Sequence, residues 1–296
     1  MIHPIDLKFL GHEHTIAAFL IETDEGPVLI ETGPYSTFEN LDQGLAEHGY
    51  TTDDITKVFL THIHFDHAGA AWAFAEKGAI IYVHPFGAKN MEDPSRLVES
   101  ATRIYGEKMD ELWGAMKPIP KDLLYEVADG EAFDLGDVVL KAYHTPGHAK
   151  HHIAWQLNDT IFTGDVAGVK IDKGIVVPPC PPPDINIEDW INSINILREL
   201  NPTSFYLTHF DKVTDTSAHL DQLENILWDW ANWMKAQWES GKSHEEITPL
   251  FMKYVAGQLA KGGLGKEEIA QYEAANPSWM SVAGLIRYWK KKSENA

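Results

Sequence analysis

The chain has 296 residues, 44% of them apolar, which is enough for one large α/β core with a helical addition. Its 24 basic and 44 acidic residues give a net charge of −20, which disfavours binding to the phosphate backbone of nucleic acids. No apolar run approaches the roughly 18 residues that a membrane span requires. We therefore expect neither a nucleic-acid-binding protein nor a membrane protein.

Cysteine content and the start of the chain indicate the compartment. The single cysteine, Cys180, excludes an intrachain disulfide, in agreement with a reducing environment. Residues 1–6 lack the basic start and the apolar stretch of a secretory signal. We expect a cytoplasmic protein.

The first predicted elements are a β-hairpin and a helix. Residues 15–22 and 27–32 are β-type apolar runs on either side of a turn. Residues 36–49 are predicted to be helical, with Ser36 as the N-cap.

The central motif follows the next strand. Residues 58–60 are apolar and lead into four potential metal ligands in the pattern H-x-H-x-D-H: His62, His64, Asp66 and His67. Residues 68–75 are predicted to continue as a helix. The four side chains therefore lie on a turn between a buried strand and a helix, where rigid elements on both sides can aim them at one point.

Three later strands also end in a residue of ligand type. His148 follows a Pro146-Gly147 turn, Asp165 ends the run at residues 160–165, and His209 ends the run at residues 204–209. Three more histidines lie around His148, and we interpret them as surface groups or as partners of the ligands: His144, His151 and His152.

These motifs resemble those of the metallo-β-lactamase superfamily, in the branch that includes glyoxalase II and the quorum-quenching lactonases. The resemblance covers residues 15–210 and implies an α/β fold, the four-layer αββα sandwich, with metals at one sheet edge. It implies one metal bound by His62, His64 and His148, a second bound by Asp66, His67 and His209, and Asp165 as the bridge.

Ligand chemistry agrees with that assignment. Seven nitrogen and oxygen ligands without a thiolate suit zinc, iron or manganese. One carboxylate can bridge two ions that lie about 3.5–4 Å apart. We expect two divalent ions per chain, with zinc as the first choice. Relatives often carry an aspartate at the place of Glu31, and a carboxylate there could hydrogen-bond a ligand histidine.

Helical segments are predicted on both sides of the last motifs. Residues 86–117 form a mostly helical insertion, which either walls a pocket or adds packing surface. Residues 187–200 form an amphipathic helix capped by Asn186. We divide the chain into a metallo-β-lactamase-like domain, residues 1–213, and a C-terminal helical extension, residues 214–296, with helices predicted over 215–239, 243–261, 266–275 and 278–292.

The C-terminal helices are predicted to form part of the substrate pocket. The apolar candidates are Phe251, Tyr254, Trp279 and Met280, and a positive charge could come from Lys290, Lys291 and Lys292. The alternatives are that these helices pack on the far side or form the interface of a homodimer.

The leading functional interpretation is a binuclear metal-dependent hydrolase that uses a hydroxide shared by the ions. Its substrate would be a small thioester, ester or lactone, and Asp66 would relay a proton to the leaving group. Lactonase relatives have a tyrosine shortly after the bridging aspartate, whereas Asp165 is followed by Val-Ala-Gly-Val, which lowers the lactone option. The alternatives are a phosphodiesterase or nuclease, a di-iron protein that binds dioxygen or nitric oxide, and a metal-free binding scaffold.

Overall fold

The structure, a computed structural model, describes residues 1–294. Two six-stranded sheets pack face to face, and helices cover the outer face of each sheet. The expected four-layer αββα sandwich is therefore confirmed. Among the described residues, no helix combines the length and the apolar character that a bilayer crossing needs.

The first sheet has its strands in chain order. Its first two pairs are antiparallel, and the remaining strands run parallel. The strands are Ile2–Asp6 (β1), Ala17–Ile21 (β2), Val28–Ile30 (β3), Lys57–Phe59 (β4), Ile80–Val83 (β5) and Leu124–Glu126 (β6).

The second sheet has the order β12-β11-β10-β9-β8-β7. Among its strand pairs in the described residues, β10–β11 is parallel and the others are antiparallel. Its strands are Ala132–Asp134 (β7), Val139–His144 (β8), Ile153–Leu157 (β9), Thr160–Phe162 (β10), Ser204–Leu207 (β11) and Asp211–Val213 (β12).

Helices fill the two outer layers and the C-terminal part of the chain. They are Phe38–Glu47 (α1), Phe65–Ala68 (α2), Ala71–Ala75 (α3), Pro85–Glu92 (α4), Ser95–Tyr105 (α5), Met109–Leu112 (α6), Ile187–Leu200 (α7), Thr216–Glu239 (α8), His244–Lys261 (α9), Lys266–Ala275 (α10) and Ser278–Glu294 (α11).

Alternation along the strands produces the layers. In β2, Phe19 and Ile21 pack between the two sheets, whereas Ala18 and Leu20 pack under the helices of the first outer layer. Successive side chains of a strand point to opposite faces, so a strand that is apolar at every position is buried on both. The continuous apolar runs in the sequence are therefore inner strands of a covered sheet.

Several local predictions are confirmed, and others are wrong. The side chains of Asn186 and Ser243 cap α7 and α9 as predicted. Ser36 does not cap α1, because its hydroxyl donates to the carbonyl of Leu112 instead. The helix predicted over 68–75 is divided into α2 and α3, with Gly69 at the division.

The C-terminal helices share a buried cluster with the outer face of the second sheet. Residues of α8, α9 and α11 pack there with α7. Phe251 is fully buried in this cluster against Trp230, so its predicted place in a pocket wall is wrong. The division of the chain at residue 213 stays a prediction.

Polar contacts fix α10 and α11 onto loops of the sandwich. The Tyr272 hydroxyl accepts a hydrogen bond from the Ile171 amide (2.9 Å) and donates one to the Ile175 carbonyl (2.8 Å). Lys292 bonds to Glu188 at the start of α7, and the ammonium of Lys291 donates to the carbonyl of Pro183. The two lysines, which were candidates for binding an anionic substrate, are therefore engaged within the chain.

Candidate metal centre

Strand ends bring the predicted ligands together. β4 ends just before His62, β8 before His148, β10 before Asp165, and β11 before His209. The short helix α2 then carries Asp66 and His67, with His64 as its N-cap. All seven predicted side chains consequently meet in two adjoining clusters at one end of the sandwich.

The first cluster contains three imidazoles. The Nδ1 atom of His64 lies 3.0 Å from Nε2 of His62 and 3.1 Å from Nε2 of His148. Oδ2 of Asp165 lies 3.3 Å from the same Nε2 atom of His148. Three ring nitrogens so close together need a proton or a cation among them, since their lone pairs otherwise repel.

The second cluster contains two imidazoles and a carboxylate. Oδ2 of Asp66 lies 3.4 Å from Nε2 of His209 and 3.6 Å from Nε2 of His67. Oδ1 of Asp165 lies 3.3 Å from Nε2 of His67 and 3.4 Å from Nε2 of His209. Asp165 thus presents one carboxylate oxygen to each cluster, which is the arrangement that a bridging ligand requires.

Hydrogen bonds on the far side of the rings set their orientation. Nδ1 of His148 donates to the carbonyl of Pro179 (2.8 Å), and Nδ1 of His209 donates to the carbonyl of Thr15 (2.7 Å). Because a neutral imidazole carries one proton, these bonds leave the Nε2 lone pairs pointing into the clusters. That tautomer is the one that can bind a metal.

Glu31 links the second cluster to two strand ends. This buried carboxylate accepts a hydrogen bond from Nδ1 of His67 (2.9 Å), which confirms the predicted contact with a ligand histidine. It also accepts from the hydroxyls of Thr61 and Thr208, the latter at 3.3 Å. The Thr61 oxygen lies 3.0 Å from Nδ1 of His62, so Glu31 reaches the second cluster directly and the first cluster through the Thr61 hydroxyl.

Four threonines and His152 support the predicted ligands, although the sequence did not predict the threonines and left the place of His152 open. A threonine follows the end of each of the four strands that lead to the clusters, and each hydroxyl makes a hydrogen bond there: Thr61, Thr145, Thr163 and Thr208. Thr145 bonds to Nδ1 of the buried His152, whose Nε2 accepts from the Asp165 amide (3.2 Å). The repeated threonine after an apolar run was the signal for this shell.

The two clusters differ in the direction in which their surroundings shift the pKa values of the histidines. Burial and the repulsion of neighbouring histidines hold the pKa of His62 well below its usual value and lower that of His64 to about 3. Burial alone would lower the pKa of His67, but Asp165, Asp66 and Glu31 raise it well above the usual value. Burial disfavours the charged form of Asp66, yet His67 and His209 lower its pKa to about 2.

The unpaired atoms of the centre fit a bound cation. Nε2 of His67 and Oδ1 of Asp165 are buried and lie 3.3 Å apart as an ion pair, but neither atom makes a hydrogen bond of good geometry among the described residues. A buried polar atom without a partner costs about 1–3 kcal/mol, so such atoms are rare unless an ion or a water serves them. Metal binding needs neutral imidazoles and ionised carboxylates. The lowered pKa values of His62, His64 and Asp66 match that need, and a cation would replace the proton that the carboxylates favour on His67.

The centre opens to solvent at the H-x-H-x-D-H turn. His62, His67 and His148 are fully buried, whereas His64, Phe65 and Asp66 are partly exposed. The Asp66 side chain has 22% of its surface exposed, against 4% for Asp165. A substrate would therefore approach over this turn.

Comparison with known proteins agrees with this geometry. The profile of the metallo-β-lactamase superfamily matches residues 13–209, which contain all seven residues. The chain belongs to the metallo-β-lactamase superfamily. This superfamily binds divalent metals and consists mostly of metal-dependent hydrolases. The glyoxalase II-like branch stays a prediction.

Two solved members of the metallo-β-lactamase superfamily resemble the chain over most of its length. The Sulfurisphaera tokodaii protein ST1585 is 30% identical over 177 residues, which cover 58% of this chain and 67% of that protein. Its structure superposes with a TM-score of 0.61 over 75% of this chain and 85% of its own. Thermus thermophilus TTHA1429 has a TM-score of 0.71 over 99% of this chain and 93% of its own; at 20% identity it shows the fold alone.

More distant superfamily relatives have named activities or metals. An N-acyl homoserine lactonase of Bacillus cereus is 29% identical over 45% of this chain and 54% of its own length. An atrochrysone carboxyl ACP thioesterase of Aspergillus fumigatus is 22% identical over 69% and 39%. TTHA1623, solved in a di-iron-bound form, is 25% identical with a TM-score of 0.54 over 70% of this chain and 93% of its own.

Proposed function

We propose that the chain is a hydrolase of a small thioester, ester or lactone that works with two divalent metal ions. The observation that carries this proposal is the position of Asp165, with one oxygen in a three-histidine cluster and the other beside His67 and His209. A single ion would leave one of those oxygens, and two or three of the five imidazoles, without a cation.

Each cluster would hold one ion, and Asp165 would be shared. His62, His64 and His148 would bind the first ion, and Asp66, His67 and His209 the second. When bound, such ions lower the pKa of water and polarise a carbonyl or phosphoryl oxygen. Zinc is our first choice from the ligand types. Iron is the main alternative, supported by the di-iron form of TTHA1623.

The protein side chains would divide the remaining work. The buried rings of His62, His67 and His148, fixed by their outer hydrogen bonds, would keep the ligand atoms in place during turnover. Asp66 is partly exposed and lies at the clusters, so its carboxylate would be placed to take a proton and pass it to a leaving group. Asp66 would thus be both a metal ligand and a catalytic residue.

The substrate class rests on charge and on the relatives. The lactonase and thioesterase relatives support hydrolysis at a carbonyl carbon. A net charge of −20 disfavours a nucleic-acid substrate, because proteins bind nucleic acids largely through contacts of lysine and arginine with the phosphates. Carbonyl compounds are therefore preferred over phosphodiesters.

The test is metal analysis combined with a substrate panel. Protein stripped by a chelator would be reconstituted with Zn²⁺ or Fe²⁺, and the bound metal measured by elemental analysis. We expect two ions per chain and turnover of a thioester, ester or lactone by the reconstituted protein, with the stripped protein as the inactive control. One ion or none, or a faster reaction with a phosphodiester, would overturn the proposal.

A further inference from the structure

A row of aromatic side chains runs from the metal centre to the C-terminal helix α11. Phe65 packs near Trp113, with ring centroids 5.9 Å apart, and Trp113 meets Tyr105 edge-on at 5.3 Å. Tyr105 in turn meets Trp279 edge-on at 5.7 Å. Three segments that are distant in sequence thus build one surface: the ligand turn, the insertion, and the start of α11.

The two inner rings of this row, Trp113 and Tyr105, have further contacts. The ring of Phe9, a buried residue, stacks on Trp113 at 5.6 Å. The Tyr105 hydroxyl lies 3.8 Å from Sδ of Met280, a thioether that can adapt to irregular shapes. The residues of the row and Met280 are only partly buried, so each keeps some surface open to solvent: Phe65, Tyr105, Trp113, Trp279 and Met280.

The row stands at the open side of the centre. Phe65 lies directly between His64 and Asp66, two partly exposed residues of the clusters. A molecule that reaches the clusters over this turn therefore passes along the aromatic row.

We propose that this row binds an apolar acyl group of the substrate, and that Trp279 determines specificity for it. The proposal rests on the hydrolase function proposed above and adds the chemical nature of the group next to the carbonyl. Ligand sites are largely apolar clefts with a few polar groups at the reacting end, and aromatic rings supply most of that surface. The competing explanation is that the row only joins the insertion to α11.

Trp279→Ala separates these explanations, with Trp233→Ala as the matched control. Trp233 is also a partly buried tryptophan of the C-terminal helices, but it stacks on Tyr254, at 5.1 Å, in the α8–α9 packing. Both variants would be reconstituted with Zn²⁺ and assayed on p-nitrophenyl acetate and p-nitrophenyl octanoate. Each buried methylene contributes up to about fourfold in binding, so loss of one wall should be visible on the long ester.

We expect Trp279→Ala to lower kcat/KM on the octanoate ester about tenfold, mainly through KM. Turnover of the acetate ester and the metal content should stay as in the parent protein. Trp233→Ala should leave kcat/KM unchanged on both the octanoate and the acetate ester. Equal losses on both esters, or no loss on either, would overturn the assignment of Trp279.

A binding measurement keeps this inference separate from the hydrolase proposal. The metal-free parent protein should bind octanol, measured by calorimetry, and Trp279→Ala should bind it about tenfold more weakly. If the loaded protein cleaves neither ester, octanol binding still decides the role of the row, and the metal analysis with the thioester, lactone and phosphodiester panel decides the hydrolase proposal. Undiminished octanol binding by Trp279→Ala would refute that role. Trp279→Phe, which keeps a ring, serves if the alanine variant does not fold.

Discussion

The two halves of the metal centre hold a cation by different means. The first cluster offers three imidazoles whose mutual repulsion and burial keep them neutral, so it attracts an ion mainly through lone pairs. The second cluster contains the Asp66 carboxylate, and Glu31 stands behind His67. Carboxylates raise the pKa of both His67 and His209 there, which marks a region of negative potential.

This contrast leads to an order of affinity. An ion in the second cluster gains Coulomb attraction to nearby carboxylates at short distance and out of water, where such attraction is strong. An ion in the first cluster gains less of it, because only Asp165 is charged there. We therefore expect the second cluster to keep its ion more tightly.

The largest effect should come from the residue that both halves share. Asp165→Ala removes an oxygen from each cluster, so we expect loss of metal and a fall in kcat/KM of more than about 1,000-fold, since metal ions supply several kcal/mol of catalysis. Elemental analysis and the substrate panel measure both effects. Asp159→Ala, at the exposed opposite end of β10, is the control and should behave as the parent. Full metal content with normal turnover in Asp165→Ala would contradict the bridging role.

A pair of variants tests the difference between the clusters directly. His148→Ala should lose the ion of the first cluster, and His209→Ala that of the second, each with a fall in kcat/KM of about 100-fold. Titration with a chelator should then remove the remaining ion from His209→Ala at a lower chelator concentration than from His148→Ala. The reverse order would mean that lone pairs, and not carboxylates, decide the affinity.

Glu31→Gln is expected to have a smaller effect on metal affinity, and mainly on the ion of the second cluster. The amide keeps the volume of the side chain but removes the charge that faces His67. Changes behind a ligand histidine typically cost about 10–100-fold in metal affinity. We expect that loss for the second ion and a smaller one for the first, measured by competition with a chelator. The control is Glu22→Gln, on the first sheet but outside the centre. Equal weakening of both ions in Glu31→Gln would show that Glu31 acts on the fold as a whole.

Short-range patterns were enough to predict most of the elements. Apolar runs predicted the inner strands, and capping residues such as Asn186 and Ser243 predicted the starts of α7 and α9. The motif at the end of β4 predicted a cluster because a strand and a helix fix the turn between them. The structure brings the seven predicted side chains together, while their ligation of metal stays a prediction.

Contacts between distant segments could not be predicted in the same way. The hydroxyl of Ser36 bonds to the carbonyl of Leu112, 76 residues away, and so loses its expected capping role. Phe251 and Trp279 have the same apolar character in the sequence, yet one is core and the other is partly exposed beside Tyr105 of the insertion. Only the packing of whole helices decides which apolar face is covered.

The loop at residues 170–175 has a consequence for engineering. Connections at the surface usually accept insertions, because little depends on their backbone. Here the Lys170 amide donates to the carbonyl of His209 (2.7 Å), and the Tyr272 hydroxyl holds Ile171 and Ile175. A peptide tag or an affinity epitope placed in this loop would displace a residue of the centre and α10 together. Grafting is better directed to the exposed turn at Gly241, whose amide bonds locally to the carbonyl of Trp238.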